Sequence, residues 1–208
     1  MKSTLEISKF LQFISLILAV LLLYGCSNSK LEPVHPGGTI LAFGDSLTAG
    51  VGVSAEHSYP SVLAELTGLN VINAGISGEI SAEGLARLPE VLEQTQPELL
   101  ILIEGANDIL RNQSFAEAKR NLAAMITLAK ARGIQVVLVG VPQKALFSDS
   151  APFYAELAEQ FDVPFEASVI GDLERSPSSK SDQIHFNQKG YRKMAEAIRD
   201  LLADHGAI

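Results

Sequence analysis

Four short stretches of the 208-residue sequence carry residue types that could do chemistry together. In the first, Gly44-Asp45-Ser46-Leu47 follows the apolar run Ile40 to Phe43, so a serine hydroxyl stands where a buried strand ends and the next segment can begin a helix. A serine so placed is open to substrate and close to backbone N–H groups that could receive a developing oxyanion; it could equally cap the helix. Hydrolysis by serine also needs a base, a group that orients the base, and oxyanion donors.

The sequence has four histidines. His35 and His205 fall in terminal stretches expected at the surface, and His57 follows the serine loop with nothing to pair with it. Asp182-Gln183-Ile184-His185 differs, because a single turn lets Asp182 face the imidazole Nδ1–H and fix the tautomer. That leaves Nε2 for a serine hydroxyl. The same pair could instead cap the last helix. For the oxyanion, Gly75 in Asn73-Ala74-Gly75 would offer an N–H that no side chain blocks, and Asn107 in Gly105-Ala106-Asn107-Asp108 a side-chain NH2. Ordinary turn roles are open to both.

The elements that must position these groups alternate. Apolar strands are expected at Ile40 to Phe43, Leu69 to Asn73, Leu99 to Ile103 and Ile134 to Val139, with a short segment at Val163 to Phe165. Helices are expected at Ser58 to Leu66, Ser81 to Gln94 with Ser81 as its cap, Phe115 to Arg132, Phe153 to Phe161 and Asn187 to Ala203. Strands apolar along their whole length, separated by helices, are the pattern of a parallel sheet covered on both faces. Ligands bind such sheets beyond the carboxyl ends of the strands, and Ser46, Asn73 to Gly78 and Gly105 to Asp108 all follow strands.

The length suits one domain, and a composition of 47% hydrophobic and 19% charged residues is neither disordered nor fibrous. A formal net charge of −8 argues against a nucleic-acid partner. No loop shows metal-ligand spacing beyond scattered carboxylates, and no Gly-x-x-x-x-Gly-Lys loop is present, so neither metal nor cofactor is expected.

Residues 1–25 read as a secretory leader: Lys2 and Lys9 open it, and Phe10 to Leu23 is almost wholly apolar but short for a membrane span. Leu23-Tyr24-Gly25-Cys26 resembles the lipobox of bacterial lipoproteins, which implies cleavage before Cys26 and its acylation. Multiple acyl chains anchor firmly where one holds marginally. Cys26 is the only cysteine, so no intramolecular disulfide can form. Residues 26–38 then read as a tether and 39–208 as the folded domain. Ser27 resembles the sorting residue of outer-membrane lipoproteins, implying a periplasm-facing location in a Gram-negative host.

Gly44-Asp45-Ser46-Leu47, Asn73-x-Gly75, Gly105-x-Asn107-Asp108 and Asp182-x-x-His185 resemble, in order, the four blocks of the SGNH or GDSL-type hydrolases. Ser77-Gly78-Glu79 and Gly84-Leu85-Ala86-Arg87-Leu88-Pro89 resemble more narrowly the arylesterase and multifunctional thioesterase/lysophospholipase subgroup. The resemblance implies a flavodoxin-like three-layer α/β/α sandwich with a mostly parallel five-stranded sheet. It also implies Ser46 as nucleophile, His185 as base and Asp182 as its orienter. The Ser46 and Gly75 N–H groups and the Asn107 amide would form the oxyanion hole. Ala106 stands where the subgroup has a second glycine and Phe186 where it has a proline. The methyl is expected to crowd the backbone or narrow the acyl site, and the phenyl to loosen the loop or add an apolar wall.

The implied substrate is a small-molecule or lipid acyl ester, such as an aryl ester or lysophospholipid, or a thioester. Leu110 to Phe115 and Val141 to Phe147 are candidate acyl-chain walls. The alternatives are a carbohydrate or peptidoglycan O-acetylesterase using the same residues, and a non-catalytic surface lipoprotein that binds through the same fold. A nucleotide- or flavin-binding protein is disfavoured by a first loop without a phosphate-cradling pattern.

Overall fold

The computed structural model describes residues 30–143 and 149–208. The leader and Cys26 lie outside the described residues, as do residues 144–148, which include the end of the second acyl-wall stretch.

Five parallel strands form one sheet in the order β2-β1-β3-β4-β5. They are β1 (Thr39–Gly44), β2 (Asn70–Gly75), β3 (Leu99–Ile103), β4 (Gln135–Val139) and β5 (Phe165–Glu166). β1 and β3 sit at the centre, and Leu99-Leu100-Ile101-Leu102-Ile103 is buried at every position, as a strand covered on both faces must be. β2 lies at the edge and is correspondingly half exposed.

The helices are α1 (Ser46–Ala49), α2 (Tyr59–Thr67), α3 (Ser81–Thr95), α4 (Ala106–Leu110), α5 (Phe115–Ala131), α6 (Pro152–Phe161), α7 (Val169–Glu174) and α8 (Gln188–Asp204). α2 packs against α8, while α3, α5 and α6 pack side by side, which makes the two outer layers of an α/β/α sandwich. α8 shows how sequence sets this arrangement. Asn187 caps it by accepting the Gly190 N–H at 3.1 Å, and Tyr191, Met194, Ala195, Ile198 and Leu202 repeat at helical spacing and are buried. Each large apolar side chain so buried contributes about 1.5–3 kcal/mol.

Two expectations are corrected here. Ser81 does not cap α3: Ile80 holds that position, and the Ser81 N–H and hydroxyl both donate to Asp108, at 2.8 and 2.7 Å. Residues 31–35 and 205–207 are also docked rather than loose. Leu31 and Val34 donate backbone N–H groups to the His205 and Ala207 carbonyls, Glu32 and Gln135 exchange two hydrogen bonds, and His35 bonds Glu98. Val34 and Ala207 are buried, so the part of the expected tether from Leu31 onward belongs to the body of the domain.

Candidate active site

β1 ends at Gly44, and Asp45 begins the turn into α1 by accepting the Leu47 N–H on Oδ1 at 3.0 Å. Ser46 is therefore the first residue of α1, and its backbone N–H, one of the orphan donors of a helix start, has no acceptor among the described residues. The side chain lines a cleft of about 170 Å³ together with Leu47, Asn107, Ile109, Leu110 and Ile184.

The last loop brings the base. Asp182 Oδ2 lies 2.8 Å from His185 Nδ1, and its Oδ1 accepts the Ile184 and His185 backbone N–H groups, both at 2.7 Å. Those bonds, led by the backbone N–H of His185, hold the Asp182 carboxyl well below the usual carboxylate range, so it is ionised throughout the physiological range. An ionised Asp182 makes Nδ1 the protonated nitrogen and leaves Nε2 as the acceptor. Among the described residues no hydrogen bond yet joins Ser46 Oγ to the imidazole; such contacts commonly tighten only when substrate binds. α8, which follows this loop, is tied to the segment after the serine turn, where the Tyr191 hydroxyl donates to the Val51 carbonyl at 2.8 Å.

The oxyanion side departs from expectation at one residue. Gly75 does not have a free N–H: it donates to Asn73 Oδ1 at 3.0 Å. Gly75 instead serves packing, because a Cβ there would sit 2.1 Å from the Ala49 amide nitrogen on α1. Three residues on, Gly78 adopts φ +83°, and its N–H has no acceptor among the described residues. Asn107 lies beside it, spending one amide hydrogen on the Glu79 carbonyl at 2.9 Å and keeping the other.

The loop from Ala74 to Ser81 is fixed by side chains that hold it at several points. Arg87 clasps the Glu79 carboxylate at 2.7 and 2.5 Å, donates to the Ala74 carbonyl at 3.0 Å and lies 3.9 Å over the Phe43 ring. Arg111 donates to the Gly78 carbonyl at 2.7 Å. Sequence reading did not assign roles to Gly78, Glu79 and Arg87, although all three stand in the two narrower motifs; periodicity and turn chemistry give no clue that these side chains meet.

Beneath the cleft, Asp45, Glu79, Glu104 and Asp108 are all buried. Burial, followed by the field of Asp45 and contact with Glu79, pushes Glu104 up to about 10, and burial pushes Asp45 up to about 7. Oε1 of Glu104 and Oδ2 of Asp45 have no hydrogen-bond partner among the described residues. Glu104 is thus held in its neutral form, which keeps an unpaired buried charge from standing beside Glu79, whose own charge Arg87 pairs.

Of the other expected features, Leu110, Val141 and Pro142 line the cleft, whereas Phe115 faces an adjoining pocket with Phe153. Ala106 is at the cleft wall. Phe186 neither loosens its loop nor walls the site: it is fully buried, edge-on to Tyr191 at 5.7 Å, and anchors the histidine loop in the core. His57 lies in a short 3₁₀ turn with no ring hydrogen bond among the described residues.

Residues 42–193 match the GDSL-like Lipase/Acylhydrolase family. The chain is 32% identical over 158 residues to the thioesterase 1/protease 1/lysophospholipase L1 of Escherichia coli K12, covering 72% of this chain and 76% of that one. It is also 32% identical over 179 residues to an arylesterase of Vibrio mimicus, covering 80% and 88%. Among solved structures, that of TesA superposes with a TM-score of 0.72 at 28% identity, covering 79% of this chain and 97% of the other.

Proposed function

Because this chain belongs to the GDSL-like lipase/acylhydrolase family, we propose that Ser46 is the nucleophile through which it hydrolyses carboxylic esters. The enzyme is a serine esterase. In the proposed reaction the Ser46 Oγ attacks the acyl carbonyl carbon while His185 Nε2 takes its proton. The tetrahedral oxyanion is received by the Ser46 N–H, the free hydrogen of the Asn107 amide and the Gly78 N–H, the last replacing Gly75, whose N–H is engaged. His185 then returns the proton to the departing alcohol. A water then attacks the acyl-Ser46 carbonyl while His185 Nε2 takes its proton; the C–Oγ bond breaks, the carboxylic acid leaves and His185 returns the proton to Oγ, restoring the free serine. Asp182 stabilises the imidazolium in both halves. The observation that carries this reading is the doubly held pair, with Asp182 bonding both the ring and the backbone of His185.

The proposed substrate class is acyl esters with an apolar acyl group, such as aryl esters or lysophospholipids, supported by the apolar lining of Leu47, Ile109, Leu110, Val141, Pro142 and Ile184. Hydrolysis of p-nitrophenyl esters from acetyl to palmitoyl tests it. A preference for octanoyl or longer over acetyl agrees with the lining, and a preference for acetyl assigns the chain to O-deacetylation instead. We also propose that the mature chain begins at a lipidated Cys26 and is anchored in the cell envelope, facing the periplasm of a Gram-negative host. The lipobox-like sequence alone supports this.

A further inference from the structure

The residues just after the proposed anchor cross the underside of the sheet. Lys30 and Leu31 share a pocket with Gly133, Ile134, Gln135, Val163 and Pro164, the residues that lead into β4 and β5. Glu32 is clamped to Gln135, the first residue of β4, by hydrogen bonds of 2.6 and 2.9 Å. His35 is bound through its N–H and ring to Glu98, the residue before β3, at 2.9 and 3.1 Å. The strap then enters β1 at Thr39. Its contacts with the sheet are at the amino edge of the strands, and Leu31 and Val34 also bond His205 and Ala207 just past α8, whereas Ser46, Gly78, Asn107 and His185 all belong to loops or helix starts at the carboxyl edge.

We infer that membrane attachment at Cys26 holds this enzyme with the amino edge of its sheet toward the bilayer and the Ser46 cleft facing away, so that it draws its esters from the aqueous side and not from the leaflet that anchors it. This rests on the attachment proposed above. The strap converts a flexible leash into a short one. Only three residues, Ser27 to Ser29, separate Cys26 from Lys30, and the four Cα–Cα steps between them reach about 14 Å at full extension. β1 alone, at six residues, is about 20 Å long. With the cleft on the bilayer, Lys30 would stand at least that far above it, beyond the reach of the chain. Were residues 26–38 free, as the sequence suggested, the leash would reach about 40 Å and either orientation would be open. The docking of Leu31 to Gly38 is what removes one of them.

The sequence supplies its own probes, having one cysteine and no tryptophan. The mature chain from Cys26 is coupled through that cysteine to a maleimide lipid in phosphatidylcholine vesicles containing brominated phosphatidylcholine. Lys30→Trp then reports on the amino edge and Leu110→Trp on the cleft mouth. The expected result is strong bromine quenching at position 30 and none at 110; equal or stronger quenching at 110 overturns the inference. A functional arm compares p-nitrophenyl palmitate embedded in the same vesicles with dissolved p-nitrophenyl butyrate. Inserting a Gly/Ser segment of about 20 residues between Ser29 and Lys30, whose typical span is about 25 Å, should raise the embedded-to-dissolved rate ratio at least fivefold. An unchanged ratio overturns the inference. Failure to hydrolyse either ester would sink the Ser46 reading, and the quenching arm would still decide orientation. Acylation of Cys26 is read separately, by metabolic labelling with palmitate.

Discussion

Asp182 grips His185 at two points, ring Nδ1 to Oδ2 at 2.8 Å and backbone N–H to Oδ1 at 2.7 Å, so one carboxylate fixes both the tautomer of the imidazole and the turn that carries it. Orientation and loop shape are therefore inseparable in this pair.

Asp182→Asn should keep the loop acceptor on Oδ1 yet offer Nδ1 an amide, favouring the tautomer with its proton on Nε2. The expected loss in kcat is on the order of a hundredfold to ten-thousandfold with little change in KM. Steady-state kinetics on p-nitrophenyl octanoate, with circular dichroism to confirm the fold, check it.

The two candidate glycines can be told apart through Asn73, whose side chain occupies the Gly75 N–H. Asn73→Ala frees that N–H, and if Gly78 provides the donor, kcat should stay within about twofold of the parent. Asn107→Ala removes both the oxyanion donor and the tie to the Glu79 carbonyl, and should lower kcat on the order of a hundredfold or more.

Glu104 predicts a pH dependence of stability. Its folded pKa, about 10, lies above the ordinary 4.5 because burial disfavours the charge. The unfolded chain then binds fewer protons than the folded one between these values, and stability falls as pH rises through that window. Asp45, raised to about 7, adds to the fall between about 4 and 7. Glu104→Gln removes its own share, so the variant should gain stability relative to the parent as pH increases. Urea denaturation at pH 5 and pH 9 measures this; an equal difference at both contradicts a neutral Glu104.

Phe186 should behave as a core residue. Truncation to alanine leaves a cavity against Tyr191 and should cost about 3–5 kcal/mol in urea unfolding, with activity falling as the histidine loop loosens. A surface-like change below about 0.5 kcal/mol would contradict its anchoring role.

Leu99 to Ile103 shows how much of the fold was legible: an all-apolar run between Pro97 and the Glu104 turn can only be a strand buried on both faces, and that is where β3 lies. The strand-end position of Ser46 and the turn that joins Asp182 to His185 were legible as local chemistry, whereas their catalytic roles, and that of Asn107, came only from the family resemblance. Three features were not. The short helices α1, α4 and α7 span fewer than two turns, too few for an apolar face to repeat. The engagement of the Gly75 N–H by the Asn73 side chain and the tight contact of Gly75 with α1, on which the proposed donor role of Gly78 rests, are not encoded by a turn motif. The docked strap depends on partners 103 residues apart, Glu32 and Gln135, which leave no mark on local sequence.

The nucleophile is tested most directly by a fluorophosphonate that reacts only with an activated serine, followed by peptide mass spectrometry. The account predicts stoichiometric labelling confined to Ser46, with labelling and ester hydrolysis both abolished in Ser46→Ala. Substantial hydrolysis by Ser46→Ala, or a label on any other residue, would contradict it.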